Sequence, residues 1–223
     1  MEGCRLKHHT LLHSPSPTSV NVSASHLSPS ASLCPMFRMI PVVLHHGGKT
    51  QSVFAFIDEG SSLTLLEETI AERLGVIGPI EPLTLQWTGN IKREELKSQR
   101  ILLQISAKSN SKSHDLLNVR TVSHLRLPSQ SMRYRELSQR YPHLRGLPVE
   151  DYELVQPKLL IGLDNLALGV LIKVRQGNRA DPIAAKCRLG WSIYGCTNSN
   201  SIQTSIINFH LGAVSDPDRE LNE

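Results

Sequence analysis

The most constraining feature of the sequence is a short apolar run that ends abruptly in an acidic loop. The run is Val53-Phe54-Ala55-Phe56-Ile57, and Asp58-Glu59-Gly60-Ser61-Ser62 follows it directly. A continuous apolar run of this length is typical of a strand that is covered on both faces. Because glycine allows backbone angles that other residues avoid, the pattern predicts a tight loop with Asp58 at the mouth of a buried strand.

A carboxylate in this position needs a stabilising partner. In a partly buried site, a lone carboxylate either shifts its pKa or pairs with another group. In a symmetric assembly, the simplest partner is the same residue of a second copy. The loop therefore indicates acid-base chemistry at Asp58, with a homodimer as one way to complete the site.

Composition narrows the class of protein. The 223 residues are 39% apolar and 4% aromatic, which favours one domain with one sizeable core. The formal net charge of +4 is too small to indicate nucleic-acid binding by itself. No stretch approaches the ~20 apolar residues of a membrane span, and the first residues lack the apolar segment of a signal peptide. We therefore expect a soluble protein that binds no membrane, with its four cysteines reduced.

Residues 1–35 differ from the rest of the chain. Serines and prolines dominate from Ser14 onward without apolar periodicity, which predicts a disordered leader. Just before it, Cys4, His8, His9 and His13 lie close together. They fit either the last part of a zinc knuckle or a histidine-rich tail that binds no metal. A structural zinc site needs four ligands and the partner cysteines are missing, so no metal ligand is assigned.

Alternating and turn-forming residues predict the elements that surround Asp58. A strand over residues 37–44, a turn over residues 45–49 and a returning strand over residues 52–57 form a hairpin that leads into the loop. Acidic residues, apolar residues spaced four apart and a final glycine predict a short helix over residues 67–75.

A second and longer hairpin is predicted further along the chain. It runs from residues 82–87 through the turn Thr88-Gly89-Asn90 to a returning strand over residues 100–105.

Three later segments also carry structural information. Leu159-Leu160-Ile161-Gly162 predicts a buried strand that ends in a glycine, after which Asp164 or Asn165 could cap a helical turn. Residues 187–195 predict a strand bracketed by glycines. Residues 123–157, rich in proline and arginine, predict an insertion with a helix over residues 132–141.

Three segments, taken in order, share features with a known family. They are Phe56-Ile57-Asp58-Glu59-Gly60-Ser61, Leu160-Ile161-Gly162-Leu163-Asp164 and Leu189-Gly190-Trp191-Ser192-Ile193-Tyr194-Gly195. With this order and spacing, residues 36–198 resemble the aspartic peptidase domain of BEL/Pao-type retrotransposon polyproteins. The histidine-rich residues 8–13 are similar to the end of the zinc-knuckle region that precedes the protease in those polyproteins.

The resemblance implies a fold and a reaction. The fold is all-β, a retropepsin-like closed barrel with one or two short helices and flexible N-terminal and C-terminal tails. The activity is that of an aspartic endopeptidase that works as a homodimer without a cofactor and hydrolyses extended segments of its own polyprotein. Each chain contributes Asp58, and the two carboxylates share one proton. The ionised carboxylate activates a water, the protonated one polarises the peptide carbonyl, and a mildly acidic optimum follows.

The same resemblance gives supporting roles to four small residues. Gly60 allows the turn of the loop, and the hydroxyl of Ser61 or Ser62 holds an aspartate oxygen by a hydrogen bond. Gly162 lets the second strand pack behind the loop. Asp164 is most simply a helix cap or an ion-pair partner, so it is given no catalytic role.

The tip of the second predicted hairpin falls where a retropepsin carries its flap. Trp87, Thr88 and Gly89 would then close over the peptide, exclude bulk water and add backbone hydrogen bonds to an extended substrate. The alternative is that Trp87 is an ordinary half-buried strand residue.

Glu59 departs from the general retropepsin pattern. In retropepsins a serine or threonine follows the aspartate, and its hydroxyl joins a hydrogen-bond lattice between the two loops. Two glutamates near two aspartates repel each other unless they are protonated, turned to solvent or paired with a cation. Glutamate at this position fits the retrotransposon subgroup, so Glu59 is interpreted as a variant of the motif.

The sequence is consistent with three functions. The first is a dimeric aspartic endopeptidase that matures a retroelement polyprotein, in the cytoplasm within a retroelement particle. The second is a catalytically silent or domesticated domain that acts as a protein-interaction module. The third, a nucleic-acid-binding fragment, is disfavoured because the arginines of residues 133–145 are not interleaved with stacking aromatics beyond Tyr134 and Tyr141. Residues 199–223 are interpreted as a linker or tail.

Overall fold

The computed structural model describes residues 32–87, 90–110, 112–199 and 211–214. All of them fall within one compact unit, Ser32–Glu223. Residues 1–31 of the predicted leader, which include Cys4 and the histidine cluster, lie outside the described residues, as do most of residues 199–223. The last four residues of the leader belong to an ordered strand, Ser32–Met36, so the prediction of disorder was wrong for them. The division of the chain at residues 36 and 198 therefore stays a prediction.

Strands make up about half of the described chain. They are β1 (Ser32–Met36), β2 (Met39–His46), β3 (Lys49–Ile57), β4 (Leu65–Glu67), β5 (Leu83–Trp87), β6 (Ile91–Glu95), β7 (Arg100–Ala107), β8 (Ser113–Val122), β9 (Gln130–Met132), β10 (Tyr152–Val155), β11 (Leu159–Ile161), β12 (Lys173–Arg175), β13 (Ile183–Cys187), β14 (Gly190–Ser199) and β15 (Leu211–Val214). The helices are α1 (Glu68–Leu74), α2 (Tyr134–Arg140) and two 3-10 helices, Pro142–Leu144 and Leu163–Leu168. Within the described residues, none of these helices has the length and apolarity that a membrane crossing requires.

Six strands close into a barrel in the order β11-β3-β2-β7-β8-β4. The prediction of an all-β fold with a closed barrel and short helices is therefore confirmed. The predicted first hairpin is confirmed as β2 and β3, which pair from Met39↔Phe56 to His46↔Lys49. Its two turn residues, Gly47 and Gly48, both have positive φ (54° and 79°), which is the backbone twist that a two-residue hairpin loop requires.

One apolar cluster holds the barrel together. It takes side chains from all six barrel strands, including Ile40, Ala55, Leu66, Ile105, Leu116 and Leu159. Helix α1 packs onto the same cluster and ends, as predicted, at Gly75 in the left-handed conformation. Full burial of each leucine or isoleucine contributes about 1.5–3 kcal/mol, so this cluster accounts for much of the stability of the barrel.

Strand β11 lies between the two strands that flank the Asp58 loop. It pairs in parallel with β3, with Ile161 opposite Ile57, and antiparallel with β4, with Leu159 opposite Leu66. The loop over residues 58–64 joins β3 to β4. Strand β11, about a hundred residues later in the sequence, lies between these two strands and pairs with both. This threading confirms the predicted buried strand and places Gly162 directly beneath the loop.

The second predicted hairpin has a different returning strand. Strand β5 pairs with β6, from Leu83↔Glu95 to Trp87↔Ile91, and residues 100–105 belong instead to β7 of the barrel. The prediction of the returning strand was wrong because β6 carries four charged residues, Lys92 to Glu95, and lacks apolar alternation. Strand β15 pairs with the other edge of β5, which gives a sheet in the order β15-β5-β6.

The segment predicted as one strand over residues 187–195 is a hairpin. Cys187 ends β13 and pairs with Gly190, the first residue of β14, so Arg188 and Leu189 form the turn. Gly190 has φ 121°, a conformation that favours glycine, and this local break was missed in the sequence pattern. Strand β14 then pairs with β1 on its second edge, with Gly195 opposite Met36.

Residues 123–157 form a small subdomain beside the barrel. It contains β9 paired with β10, helix α2 and the first 3-10 helix. The predicted helix over residues 132–141 is confirmed, although it covers only Tyr134–Arg140. Met132, Tyr141, Leu144 and Leu147 join Ile193 of β14 in an apolar cluster, which attaches the subdomain to the rest of the fold.

Candidate active site

The Asp58 loop is fixed by backbone hydrogen bonds at both ends of the aspartate. The N–H of Asp58 donates to the carbonyl of Ile161 over 3.0 Å, which ties the residue to the threaded strand β11. The N–H of Gly60 donates to Asp58 Oδ1 over 2.9 Å, and the N–H of Ser61 donates to the Asp58 carbonyl over 3.2 Å. Asp58 Oδ2 is buried. The carboxylate is therefore held in one orientation at the end of a buried strand.

The two serines of the loop have different surroundings. Ser61 is fully buried, and its hydroxyl donates to the carbonyl of Leu63 over 3.0 Å. Ser62 is exposed. The hydroxyl of Ser61 therefore braces the backbone of the loop, and the alternative, that the Ser62 hydroxyl holds an aspartate oxygen, stays a prediction.

Gly162 packs against the loop more closely than any side chain allows. A Cβ atom at this position would meet the carbonyl oxygen of Leu63, and would lie 2.6 Å from the Leu63 carbonyl carbon and 2.8 Å from the Ser61 carbonyl oxygen. All three are backbone atoms, which cannot move aside without moving the loop. The structure thus gives Gly162 the packing position that the sequence analysis expected.

A network of polar side chains behind the loop, buried except for that of Asp164, was not predicted. Thr64 is fully buried, and its hydroxyl donates to Asp164 Oδ1 over 2.6 Å while its N–H donates to Asp164 Oδ2 over 3.1 Å. The same hydroxyl oxygen accepts from the N–H of Gly162 and from Asn165 Nδ2. Asn165 also exchanges two hydrogen bonds with the backbone of Leu117 in β8.

Asp164 thus differs from both roles that the sequence offered for it. It makes no capping hydrogen bond, and its carboxylate accepts from Thr64 instead of pairing with a cation. The network fastens the end of the Asp58 loop to the 3-10 helix that follows β11. No sequence pattern could have identified it, because its members are separated by about a hundred residues and only their fold brings them together.

Glu59 points away from the loop interior. Its side chain is 69% exposed, and its Oε1 lies 4.0 Å from Nη1 of the buried Arg38. Arg38 Nη2 donates to the carbonyl of Gly169 over 2.6 Å, and its guanidinium lies 5.7 Å from the ring centroid of Tyr194. Of the conditions that make a glutamate tolerable beside the aspartate, the structure provides exposure to solvent and a nearby cation.

The hairpin of β5 and β6 packs on the same apolar cluster as the Asp58 loop. Leu83 and Leu85 of β5 are buried in this cluster, and both Trp87 and Leu63 of the loop pack against it. The guanidinium of Arg93 lies 5.3 Å from the ring centroid of Trp87. Trp87 is half-buried, while Thr88 and Gly89, the other two predicted flap residues, lie outside the described residues.

Arg93 anchors the base of this hairpin. Its Nη2 donates to the carbonyl of His124 over 2.8 Å, and its Nε lies 2.9 Å from Glu95 Oε1. Burial lowers the pKa of the Arg93 guanidinium, and the neighbouring Glu95 carboxylate opposes this shift. Glu95 in turn accepts from the N–H and the hydroxyl of Ser123. These contacts hold the hairpin against the segment that follows β8.

An exposed apolar strip follows the 3-10 helix Leu163–Leu168. Val170, Leu171 and Ile172 are all exposed, and Ile172 is 63% exposed. Gly169, the residue before the strip, accepts the hydrogen bond of Arg38, and a Cβ atom at Gly169 would lie 3.0 Å from a methyl group of Ile57. The strip therefore begins next to the base of the Asp58 loop.

The third motif of the sequence lies at a different place. Trp191 lines a cavity of about 290 Å³ between the β2–β3 hairpin, the segment before β10 and the turn into β14. The cavity is also lined by Val42, Phe54 and Tyr152, and the Asp58 loop does not contribute to it. Trp191 packs on the guanidinium of Arg175, 5.4 Å from the ring centroid. The motif therefore shapes the core between barrel and subdomain.

Comparisons with known proteins do not identify a family: no family model matches the chain, and no curated protein is significantly similar to it. Among the described residues, no three His, Cys, Asp or Glu side chains lie close enough together to hold a metal ion.

Proposed function

We propose that this protein is an aspartic endopeptidase of a retroelement polyprotein, which acts as a homodimer and hydrolyses extended peptide segments. One observation carries the proposal. Asp58 stands at the end of a buried strand, in a loop that strand β11 underpins, with Oδ1 fixed by the N–H of Gly60. A carboxylate held in one orientation is what acid-base catalysis requires, because proton transfer depends on geometry first.

In the proposed reaction, Asp58 of each protomer faces its counterpart across a two-fold axis. Two carboxylates in hydrogen-bonding range cannot both ionise, so the pair binds one proton. The ionised carboxylate removes a proton from a water, which attacks the peptide carbonyl carbon. The protonated carboxylate donates a hydrogen bond to the carbonyl oxygen, and the amine leaves after it takes up a proton. No covalent enzyme intermediate forms.

The surface around the loop favours a second copy as the partner. The strip of Val170, Leu171 and Ile172 exposes three consecutive apolar side chains beside the loop, and Leu163 is exposed as well. Contiguous apolar surface of this kind is typical of an interaction site. A two-fold contact there would bring the two Asp58 loops together, so that the two carboxylates could share one proton.

The hairpin of β5 and β6 suits the role of a cover over the substrate. It shares an apolar cluster with Leu63 of the loop, and Trp87 stands near its tip. A hairpin closed over the loop would exclude bulk water and offer backbone groups to an extended peptide.

Hydrolysis is tested with the full chain and an unfolded protein substrate such as casein, at values from about pH 4 to 7. We expect cleavage that a statine-type transition-state inhibitor blocks and that Asp58→Asn abolishes. Asp115→Asn is the matched control, because Asp115 is an exposed aspartate of β8. Cleavage that survives Asp58→Asn would disprove the mechanism. A folded, dimeric chain without any cleavage would favour the interaction module over the enzyme.

The shared site is tested by mixing subunits. Excess Asp58→Asn chain should inhibit the parent protein, because mixed dimers hold one aspartate. The double variant Asp58→Asn/Ile172→Glu should not inhibit, because a charge in the apolar strip prevents pairing. Asp58→Asn/Ile77→Glu is the control, since Ile77 is exposed in the segment after α1. Inhibition that is equal for both double variants would disprove the proposed contact surface.

A further inference from the structure

In the sheet of order β15-β5-β6, strands β5 and β6 differ in how well their outer edges are protected against pairing with a further strand. Strand β6 carries Lys92, Arg93, Glu94 and Glu95 within its five residues, and such charges discourage the pairing of a further strand. Strand β5 reads Leu-Thr-Leu-Gln-Trp and carries no charge. Without β15, the outer edge of β5 would present unpaired N–H and C=O groups with no protection.

In the structure, the chain covers this edge itself. Strand β15 pairs antiparallel with β5, with Leu211 opposite Trp87 and Val214 opposite Thr84. The segment Leu-Gly-Ala-Val is short and uncharged. Backbone pairing with an edge strand tolerates many sequences, because the main-chain hydrogen bonds supply most of the affinity.

The edge of β5 is preorganised for such pairing. Leu83 and Leu85 are buried in the cluster beneath the hairpin, which fixes the strand along its length. On the β6 side, Arg93 and Glu95 fasten the hairpin to the segment after β8. An edge that is already extended and fixed has little conformational entropy left to lose when a further strand binds.

We propose that the outer edge of β5 is a binding site for extended, uncharged peptide segments, and that residues 211–214 of the same chain are its tethered occupant. The tether is residues 200–210, which connect β15 to β14. An intramolecular ligand on a short connection has an effective concentration of the order of millimolar. A peptide from another chain therefore binds at this edge only when it displaces β15.

Binding at this edge does not depend on hydrolysis. Its effect on cleavage, by contrast, rests on the proposed function, because a tethered strand beside Trp87 would compete with a substrate under the hairpin. The two claims are separated when every chain in the experiment carries Asp58→Asn, so that no peptide is consumed.

The test uses a pair of prolines in β15. Successive N–H groups of a strand point in opposite directions, so Gly212→Pro/Ala213→Pro removes a donor to β5 whichever of the two residues provides it. The control, Gln203→Pro/Thr204→Pro, places the same two prolines between β14 and β15 in the sequence. A third chain carries a specific protease site within residues 200–210, and it is cut after folding so that β15 is released without any substitution in the strand.

Two measurements decide the question. In the β15 variant, those amides of residues 84–87 that point toward β15 should exchange with solvent about tenfold faster or more than in the control, while those that point toward β6 should not. A labelled peptide of residues 209–216 should bind the β15 variant and the cut chain about tenfold more tightly than the control, since the tethered competitor is gone. A peptide with prolines at both positions should not bind. Equal exchange rates, or equal peptide affinity in all chains, would overturn the proposal.

Discussion

The hydroxyl of Thr64 donates a hydrogen bond to Asp164 Oδ1 over 2.6 Å, between residues that are 100 positions apart in the sequence. The backbone N–H of Thr64 donates to the second carboxylate oxygen. This two-point contact joins the end of the Asp58 loop to the 3-10 helix after β11. Thr64 and Gly162 are both buried, so the Gly162 N–H depends on the Thr64 hydroxyl for its hydrogen bond, whereas Asp164 is exposed.

Thr64→Val is therefore expected to lower the free energy of unfolding by about 2–3 kcal/mol. The valine keeps the volume but removes the oxygen that hydrogen-bonds to Asp164, Asn165 and Gly162, so the buried Gly162 N–H and the buried Asn165 amide each lose a partner. Thr69→Val is the matched control, because Thr69 is an exposed threonine of α1. Urea denaturation measures both changes. An equal loss in the two variants would show that the network contributes nothing of its own.

Gly162→Ala should destabilise the protein by about 1–3 kcal/mol and displace the Asp58 loop, because the new methyl group overlaps backbone atoms of Ser61 and Leu63. Gly169→Ala is the control: its φ is also negative, and its Cβ would first meet only a side-chain methyl of Ile57 at 3.0 Å. We expect that variant to lose less than about 1 kcal/mol. Denaturation gives the stability, and the cleavage rate reports the loop. A fully stable and active Gly162→Ala chain would contradict the packing argument.

Arg38→Met is expected to lower the unfolding free energy by about 1.5–3 kcal/mol, since the Gly169 carbonyl loses a charged donor at 2.6 Å. Arg38→Lys should recover part of this loss, because an ammonium keeps the charge but cannot match the planar fork of the guanidinium. Arg135→Met, on the exposed surface of α2, serves as the control and should change stability by less than about 0.5 kcal/mol. The argument fails if the Arg38→Met and Arg135→Met chains denature at the same midpoint.

Glu59→Thr restores the hydroxyl residue that general retropepsins have after the aspartate. The side chain of Glu59 is 69% exposed, so the change should alter stability by less than about 0.5 kcal/mol. If hydrolysis proceeds as proposed, kcat/KM should stay the same or increase. A loss of more than about tenfold in kcat/KM at unchanged stability would instead place Glu59 in the chemistry itself.

The buried phenol of Tyr152 is expected to make the protein less stable at alkaline pH. Burial raises the pKa of the Tyr152 phenol, and a hydrogen bond from Gln130 Nε2 at 2.6 Å opposes the shift. The folded state therefore retains the phenol proton at a pH where the unfolded chain has lost it. This contribution to stability is complete below about pH 10 and is lost as the pH rises further. Tyr152→Phe should flatten the decrease in unfolding free energy above about pH 10. If the unfolding free energy of Tyr152→Phe decreases above this pH as steeply as that of the parent protein, the role of Tyr152 is refuted.

Local sequence patterns predicted the elements whose pattern lies within a few residues. The β2–β3 hairpin follows from strand residues on either side of Gly47-Gly48, and helix α1 from its spacing and its terminal Gly75. Strand β6 was missed because its Lys92–Glu95 segment is charged, and its pairing depends on the neighbouring β5 more than on its own composition. Gly190 divides residues 187–195 into two strands, a break that apolar content alone does not reveal.

The candidate site likewise contains residues that local sequence predicts and contacts that it does not. Asp58 and Gly60 could be identified from sequence, because the apolar run and the loop that follows it lie within a few residues of each other. The contacts of Thr64 with Asp164, and of Arg38 with Gly169, join residues more than 90 positions apart and depend on the barrel for their proximity. Sequence analysis of a single chain has no access to such pairs, since nothing in either residue's neighbourhood specifies the other.

The threading of β11 between β3 and β4 also sets an order of events during synthesis. The first hundred residues of the fold can collapse as they leave the ribosome, but the strand that separates β3 from β4 is made only at Leu159–Ile161. Until then the Asp58 N–H lacks its acceptor, the carbonyl of Ile161. Because such distant contacts form late, the Asp58 loop of a nascent chain stays incomplete while most of the barrel strands are already present. If the chain is the protease of a polyprotein, as we propose, this order would delay cleavage until β11 has joined the barrel.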